Sequence, residues 1–297
     1  MTDFGAEESF ARASEKLAEH YGIKMGASAV REKTLRHARA IGGIEHTAPS
    51  QPVPTLVSAL DGSMVPIVQP GEGKDKRKGK TLFWREARLC CARPEGAVES
   101  LYGATLGSSH IAGLVWGQTA RAAGFGPKTH VHGLGDGAPW ITSVFQEQFG
   151  LQGRYTVDFW HVSDYLAKAA AVLAPADNKN WLHEQQGRLL ENKVEPVLQL
   201  LESGKEAAVS GQEPGPVAKA HRYIQERRDH LDYAGAKAAG LPIGSGEIES
   251  GHRHVIQERL KLSGAWWRER TAESMLQLRV VRANKDWGRY WSEFARN

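Results

Sequence analysis

"THVHGLGDGAPWITSVFQEQFG", Thr129 to Gly150, followed closely by "RYTVDFWHV", Arg154 to Val162, decides the fold class of this 297-residue chain. The first run reads as a strand, a turn at Gly135-Asp136-Gly137 and a helix. The second reads as another buried strand. Upstream, "TLVSALDGSMVPIV" (Thr55 to Val68) gives two β-prone runs around Asp61-Gly62, the dipeptide of a tight hairpin turn. "KTLFWREARLCCARP" (Lys80 to Pro94) continues the sheet, and a helix is predicted over Ser109 to Gly124. From Ser163 to about Gly240 the pattern is almost all helical, with breaks at Pro175, Pro196 and "GQEPGP" (Gly211 to Pro216). The last helices start after Ser245 and run to the C-terminus with an interruption at Gly264. Strands and helices in this order predict an α/β fold, a mixed sheet with helices packed on it.

In front of the sheet, residues 7–41 predict two helices separated by "IKMGAS" (Ile23 to Ser28), which fits a helix-turn-helix or an ordinary helical hairpin. "HTAPSQPVP" (His46 to Pro54) is a Pro-rich linker. The 41% of hydrophobic residues suffices for a large core, and 38 Lys+Arg against 34 Asp+Glu leave +4, a balance that tolerates a polyanionic partner without demanding one. Cys90 and Cys91 are adjacent, so they build neither a disulfide framework nor a Cys-x-x-Cys zinc site. The start has no basic and apolar leader, and no run reaches the roughly 18 apolar residues of a membrane span. These features predict a cytoplasmic protein with no membrane contact.

Asp61, Asp136 and a glutamate near position 249 stand at strand ends or a helix start, where side chains of separate elements converge. Convergent carboxylates suit Mg²⁺, a hard ion that takes oxygen ligands and keeps several waters. Two such ions assist the attacking and leaving oxygens of phosphodiester cleavage. Each acid also has a bland role: Asp61 and Asp136 in turns, Glu247 and Glu249 at a helix N-terminus. The glutamates separate by helix phase. At about 100° per residue, Glu249 lies at the edge of the arc holding Ile248, Val255, Ile256 and Leu260, whereas Glu247 falls among His254, Glu258 and Lys261 on the solvated side. His252 and Arg259 share the apolar arc near Glu249, where both could face a phosphate. Arg259 could equally lay its stem on apolar surface.

"LDGSMVPI", "GDGAPWI", "VDFWHVSDYL" and "IGSGEIESGHRHVIQERLKLSGAWW", followed by "MLQLRVVRANKDW", resemble the ordered blocks of bacterial insertion-sequence DDE transposases, from about residue 52 to the C-terminus. The resemblance implies an RNase H-like fold with Asp61 on the first strand, Asp136 at the end of the fourth and Glu249 on a late helix. These three would be the catalytic metal ligands, for Mg²⁺ with Mn²⁺ as substitute. Asp158-Phe-Trp-His161 is similar to a signature whose histidine lies near the scissile phosphate, which makes His161 a catalytic candidate. Asp158 competes with Asp136 as second metal ligand and ranks behind it. The implied organisation is a helical region at 1–45 that fits a helix-turn-helix, a catalytic core at 52–162, an all-α insertion at 163–240 and closing core helices at 241–297. The implied partners are double-stranded DNA, both transposon ends and target, bound by a homo-oligomer at the bacterial nucleoid. Relatives commonly carry a longer N-terminal region with zinc-binding cysteines, from which this sequence departs. An RNase H-like nuclease and a non-catalytic DNA-binding remnant are the alternatives.

Weaker signals complete the set. Lys76, Arg77 and Lys78 lie in a basic loop suited to phosphates. Trp181, in a polar run, is the candidate for stacking on bases, whereas Trp140 and Trp160 are expected in the core. His130 and His132 are expected to be structural.

Overall fold

The structure is a computed structural model that describes residues 1–41, 51–71, 79–205 and 213–295. Along it run α1 (Thr2–Glu7), α2 (Phe10–Tyr21), α3 (Ala27–Ala40), β1 (Thr55–Gln69), β2 (Thr81–Pro94), β3 (Leu101–Thr105), α4 (Ser109–Ala122), β4 (His130–Gly135), α5 (Pro139–Phe149) and β5 (Gly153–Val157). A helical block follows: α6 (Phe159–Leu173), α7 (Asn178–Leu190), α8 (Val194–Ser203), α9 (Pro216–Glu226) and α10 (Tyr233–Ala238). The chain closes with α11 (Gly246–Gly251), a π turn over His252–Gln257, α12 (Glu258–Leu260), α13 (Glu269–Ala283) and α14 (Trp287–Phe294). The class is α/β, a five-stranded mixed sheet flanked by helices, compatible with an RNase H-like fold. The chain forms two compact units, Met1–Thr129 with Gly246–Asn297, and His130–Ser245.

In the first unit β1 and β2 pair antiparallel without interruption from Leu56 opposite Pro94 to Gln69 opposite Thr81, and β3 adds antiparallel to β2. The hairpin expected at Asp61-Gly62 does not form. Asp61 lies opposite Leu89 and Gly62 opposite Arg88, inside one continuous strand. A local turn preference loses here to a long ladder. Gly62 marks a close approach instead: a Cβ there would stand 2.1 Å from Glu86 Oε1. Leu56, Leu60, Val65 and Leu89 are buried, and α4 adds the buried Trp116, whose Nε1 donates to Ser58 Oγ at 2.6 Å.

The described residues of the N-terminal region hold three helices. Ser9 caps α2 by accepting from Arg12 N at 3.2 Å, and Gly22 ends it in the left-handed conformation at φ 66°. Ala13, Leu17 and Val30 form a small core with Phe4, Phe10 and Met25 packed on it.

In the second unit β4 and β5 are parallel, joined by α5. Gly133 and Gly153 leave room for the Phe145 ring, 2.3 and 2.6 Å from where their Cβ atoms would be. The helical block packs through Leu166, Ala170, Leu201, Ala220 and Ile224, all buried, with Tyr165 stacked on Tyr223 at 4.1 Å. Pro196, expected to break a helix, is the third residue of α8. In a first turn its missing N–H has no intrahelical acceptor to lose.

Candidate active site

Asp61 stands in the middle of β1 with its side chain about 30% exposed. Its Oδ1 accepts from Gly62 N at 2.7 Å, and its Oδ2 lies 3.1 Å from Nε2 of the buried His252. His252 opens the π turn that follows α11, and α11 packs on β1 and β2. Gly251 permits that approach: a Cβ there would lie 2.6 Å from Tyr102 Cε1 and 3.0 Å from Leu89 Cδ2.

The ridge turned to the sheet is Ile248, Gly251, His252, Val255 and Ile256. Glu247 and Glu249 flank it. Glu249 is exposed. Glu247, expected in solvent, is half-buried, and its Oε2 accepts from Arg93 Nε on β2 at 2.8 Å. The π turn explains the difference. It takes up about one extra residue, so every later position falls back by most of a ~100° step relative to a uniform wheel. A wheel centred on Ile256 and Leu260 is therefore turned too far toward Glu249. Arg93 draws Glu247 toward β2, which leaves Glu249 on the opposite flank of the ridge.

Asp136 directly follows the last residue of β4, half-buried in a turn where Gly137 has φ 73°. Its Oδ1 accepts from Ala138 N at 2.8 Å, and its backbone carbonyl accepts from the Tyr223 hydroxyl.

Asp158 is wholly buried and caps α6. Oδ1 accepts from Trp160 N at 2.6 Å and His161 N at 3.0 Å, and Oδ2 accepts from Ser245 N at 2.5 Å and from the Ser245 hydroxyl. Burial alone would push this carboxyl up. The bonds from His161 and Ser245 outweigh it and hold the group down at about 2. With both oxygens doubly engaged, Asp158 does not fit a metal ligand. It anchors the Gly244-Ser245-Gly246 loop that leads into α11. Gly244 is needed because Trp160 Cδ1 lies 2.8 Å from where its Cβ would be.

His161 lies in the first turn of α6, 43% exposed, with Nδ1 3.7 Å from Asp158 Oδ1. Trp160, expected in the core, is 61% exposed, because the Asp158 cap turns Phe159 inward and its neighbour out. His132 is buried with Nε2 2.7 Å from the Pro242 carbonyl, and burial lowers its pKa. Trp181 is half-buried on α7. Lys76, Arg77 and Lys78 lie outside the described residues.

Arg259 does not face the Asp61 region. It is 2% exposed, its Nε donates to the Gly5 carbonyl at 3.0 Å, and its guanidinium lies over the Phe10 and Trp267 rings at 4.5 and 4.8 Å. The phase shift of the π turn again turns this position toward the N-terminal helices. Arg93 and Ser245 carried no signal of their own. Only the pairing of β2 with β1 and the cap of α6 give them partners.

Among the described residues no group of three or more His, Cys, Asp or Glu side chains is gathered to hold a metal ion. The donor chemistry of Asp61, Asp136 and Glu249 nonetheless suits one. All are oxygen donors: Asp136 gives one oxygen to the Ala138 N–H, and Asp61 gives one to the Gly62 N–H with the other 3.1 Å from His252 Nε2. Mg²⁺ is commonly held by one or two carboxylates, water and the phosphates of a substrate rather than by an all-protein cage.

The profile of an uncharacterised protein family, UPF0236, matches residues 127–293, more than half of the chain. No curated protein matches it. Among solved structures, a crystal structure of NurA bound to dAMP and manganese is 15% identical, with 93% of this chain and 62% of that chain covered and a TM-score of 0.15. A second, NurA with manganese, is 15% identical, with 89% and 64% covered and a TM-score of 0.15. The chain thus spans less than two thirds of the length of these structures, and at that score the likeness carries no argument.

Proposed function

The chain belongs to the UPF0236 family, and we propose that it is a divalent-metal-dependent polynucleotidyl transferase of the DDE transposase type. The observation that carries this reading is the placement of Asp61. A partly exposed carboxylate stands in mid-strand on an RNase H-like sheet, beneath the helix that bears Glu249 and in contact with His252 of the adjoining turn. Asp136, at the end of β4, supplies the second carboxylate. Bound Mg²⁺ or Mn²⁺ would activate the attacking oxygen and stabilise the leaving one.

This chain's own residues do the rest. His252 and the Gly62 N–H hold the Asp61 carboxylate in place, Arg93 takes up the charge of Glu247, and Glu249 is left for the ion. His161, exposed at the start of α6, would touch a substrate phosphate. In the reaction, water attacks phosphorus and the bond to the 3′ oxygen breaks, leaving a 3′-hydroxyl and a 5′-phosphate. That hydroxyl then attacks a second phosphodiester, whose own 3′ oxygen leaves. Transposon ends and target DNA are the substrates, and a homo-oligomer at the nucleoid is the form that would bring two ends together.

The test is cleavage and joining of duplexes ending in the element's inverted repeats, in Mg²⁺ and in Mn²⁺. Asp61→Asn, Asp136→Asn and Glu249→Gln should each lose activity by orders of magnitude while remaining folded. Near-normal cleavage by all three would refute the assignment. Cleavage without joining would restrict the enzyme to a nuclease.

A further inference from the structure

A cavity of about 470 Å³ opens in the first unit between the start of α2, α3, the end of β1 and the Leu262–Arg268 segment. Its wall is fixed. Trp267 bridges Ile67 in parallel, Val68 N donates to Trp267 O at 2.7 Å, and Trp267 Nε1 donates to Leu260 O at 3.0 Å. Arg259, Arg31 and Arg268 line it together with Ser9, Ser263 and Trp266, and none of the described residues that line it is acidic.

Arg259 is the second, independent sign of a ligand. It is 98% buried, its Nη2 has no hydrogen-bond partner, and no carboxylate among the described residues forms an ion pair with it. A buried charge without a counterion is strongly disfavoured. Burial and the nearby Arg279 hold its pKa down, to about 10, against an opposing attraction from Glu8 that makes no ion pair with it. A recess lined by Arg39, Arg268, Arg270 and Thr271 adjoins the cavity and shares Arg268 and Thr271 with it. Beside it Trp266 is 41% and Trp84 57% exposed, with ring centroids 6.2 Å apart.

We infer that this cavity and recess form a single-strand DNA site, with a phosphate held by Arg259 and its neighbours and an unstacked base laid against Trp266. The arginine track offers phosphate contacts, and exposed indoles give sequence-tolerant stacking. The volume falls within the range of small-ligand pockets. The inference rests on DNA as the partner in the proposed function but uses none of its catalytic acids.

The experiment measures binding of the full chain to an oligonucleotide with a single-stranded 2-aminopurine overhang, by anisotropy across a salt series and by 2-aminopurine fluorescence. Trp266→Ala should abolish the fluorescence change and weaken binding at least tenfold. The double variant Arg268→Ala with Arg270→Ala should make the log–log salt slope shallower by up to about 2, since each lost phosphate contact removes about 0.9 on duplex and about 0.7 on single strands. All these side chains are exposed, so unchanged melting curves should accompany the losses. Arg259→Lys, which keeps the charge and loses the fork, should weaken binding less than Arg259→Met. Binding and slope unchanged in these variants would overturn the site while leaving the proposed function standing. Binding of inorganic phosphate or a nucleoside monophosphate in the cavity, with oligonucleotide affinity insensitive to the variants, would overturn it equally. Absence of all DNA binding by the wild type would overturn both.

Discussion

Asp158, Glu247 and Glu249 put one functional group to different uses. Asp158 is closed: buried, four times hydrogen-bonded and held down at about 2. A folded pKa below the ordinary carboxylate range means that the group stabilises the fold above that range, and that this contribution is lost as pH falls toward 2. Ser245→Ala removes one charge-assisted bond and should cost roughly 1.5–3 kcal/mol, with a lower melting temperature at neutral pH and a smaller further loss in acid. Thermal denaturation by circular dichroism between pH 7 and 2 measures both, and a variant as stable as the wild type across that range would contradict the anchoring role. Glu247 and Glu249 form the other contrast. Glu247→Gln leaves Arg93 without a full countercharge in a half-buried setting and should lower stability. Glu249→Gln should leave the melting temperature unchanged and abolish cleavage. Both substitutions with equal, small effects on stability and activity would reduce the pair to helix capping.

At the scale of elements, the sequence pattern finds what depends on local periodicity and misses what depends on a distant partner. The βαβ segment from His130 to Val157 is legible because strand, Gly-Asp-Gly turn and helix each carry their own signal. The turn at Asp61-Gly62 is misread because the dipeptide has the right chemistry, while its partners on β2, Leu89 and Arg88, lie 28 and 26 residues away in sequence. Helix phase fails for a related reason. A π turn is invisible to a wheel of constant pitch, so Glu247 comes out in solvent although it is half-buried, and Arg259 comes out among the buried positions but without its contacts to Gly5, Phe10 and Trp267. Two glycines test the distinction between a turn and a close approach. Gly62→Ala collides with the far end of the flexible Glu86 side chain and should cost little. Gly251→Ala drives a Cβ into the Tyr102 ring and Leu89, so it should cost about 1–3 kcal/mol as overpacking. Denaturant midpoints that rank the two in the reverse order would mean that α11 is not held against the sheet by this contact.

For the whole molecule, the question is when the ion binds. Asp61 and Asp136 each already hold a backbone N–H, and the described residues gather no group of three or more ligating side chains, so the protein alone offers an incomplete ligand set. Mg²⁺ keeps its waters tightly and is usually completed by substrate phosphates. Ion and DNA should therefore bind cooperatively: each raises the affinity for the other by the same factor, as linkage demands. A ligand that binds only the folded chain raises its melting temperature in proportion to the logarithm of its saturation. Millimolar Mg²⁺ alone should accordingly shift the melting temperature little, whereas Mg²⁺ added to the DNA complex should shift it clearly. Asp61→Asn should erase that second shift while leaving the shift caused by DNA alone, because the arginine track proposed to contact phosphates shares no residue with the acids. A large shift with Mg²⁺ alone, retained in Asp61→Asn, would place the ion elsewhere and remove Asp61 from the chemistry.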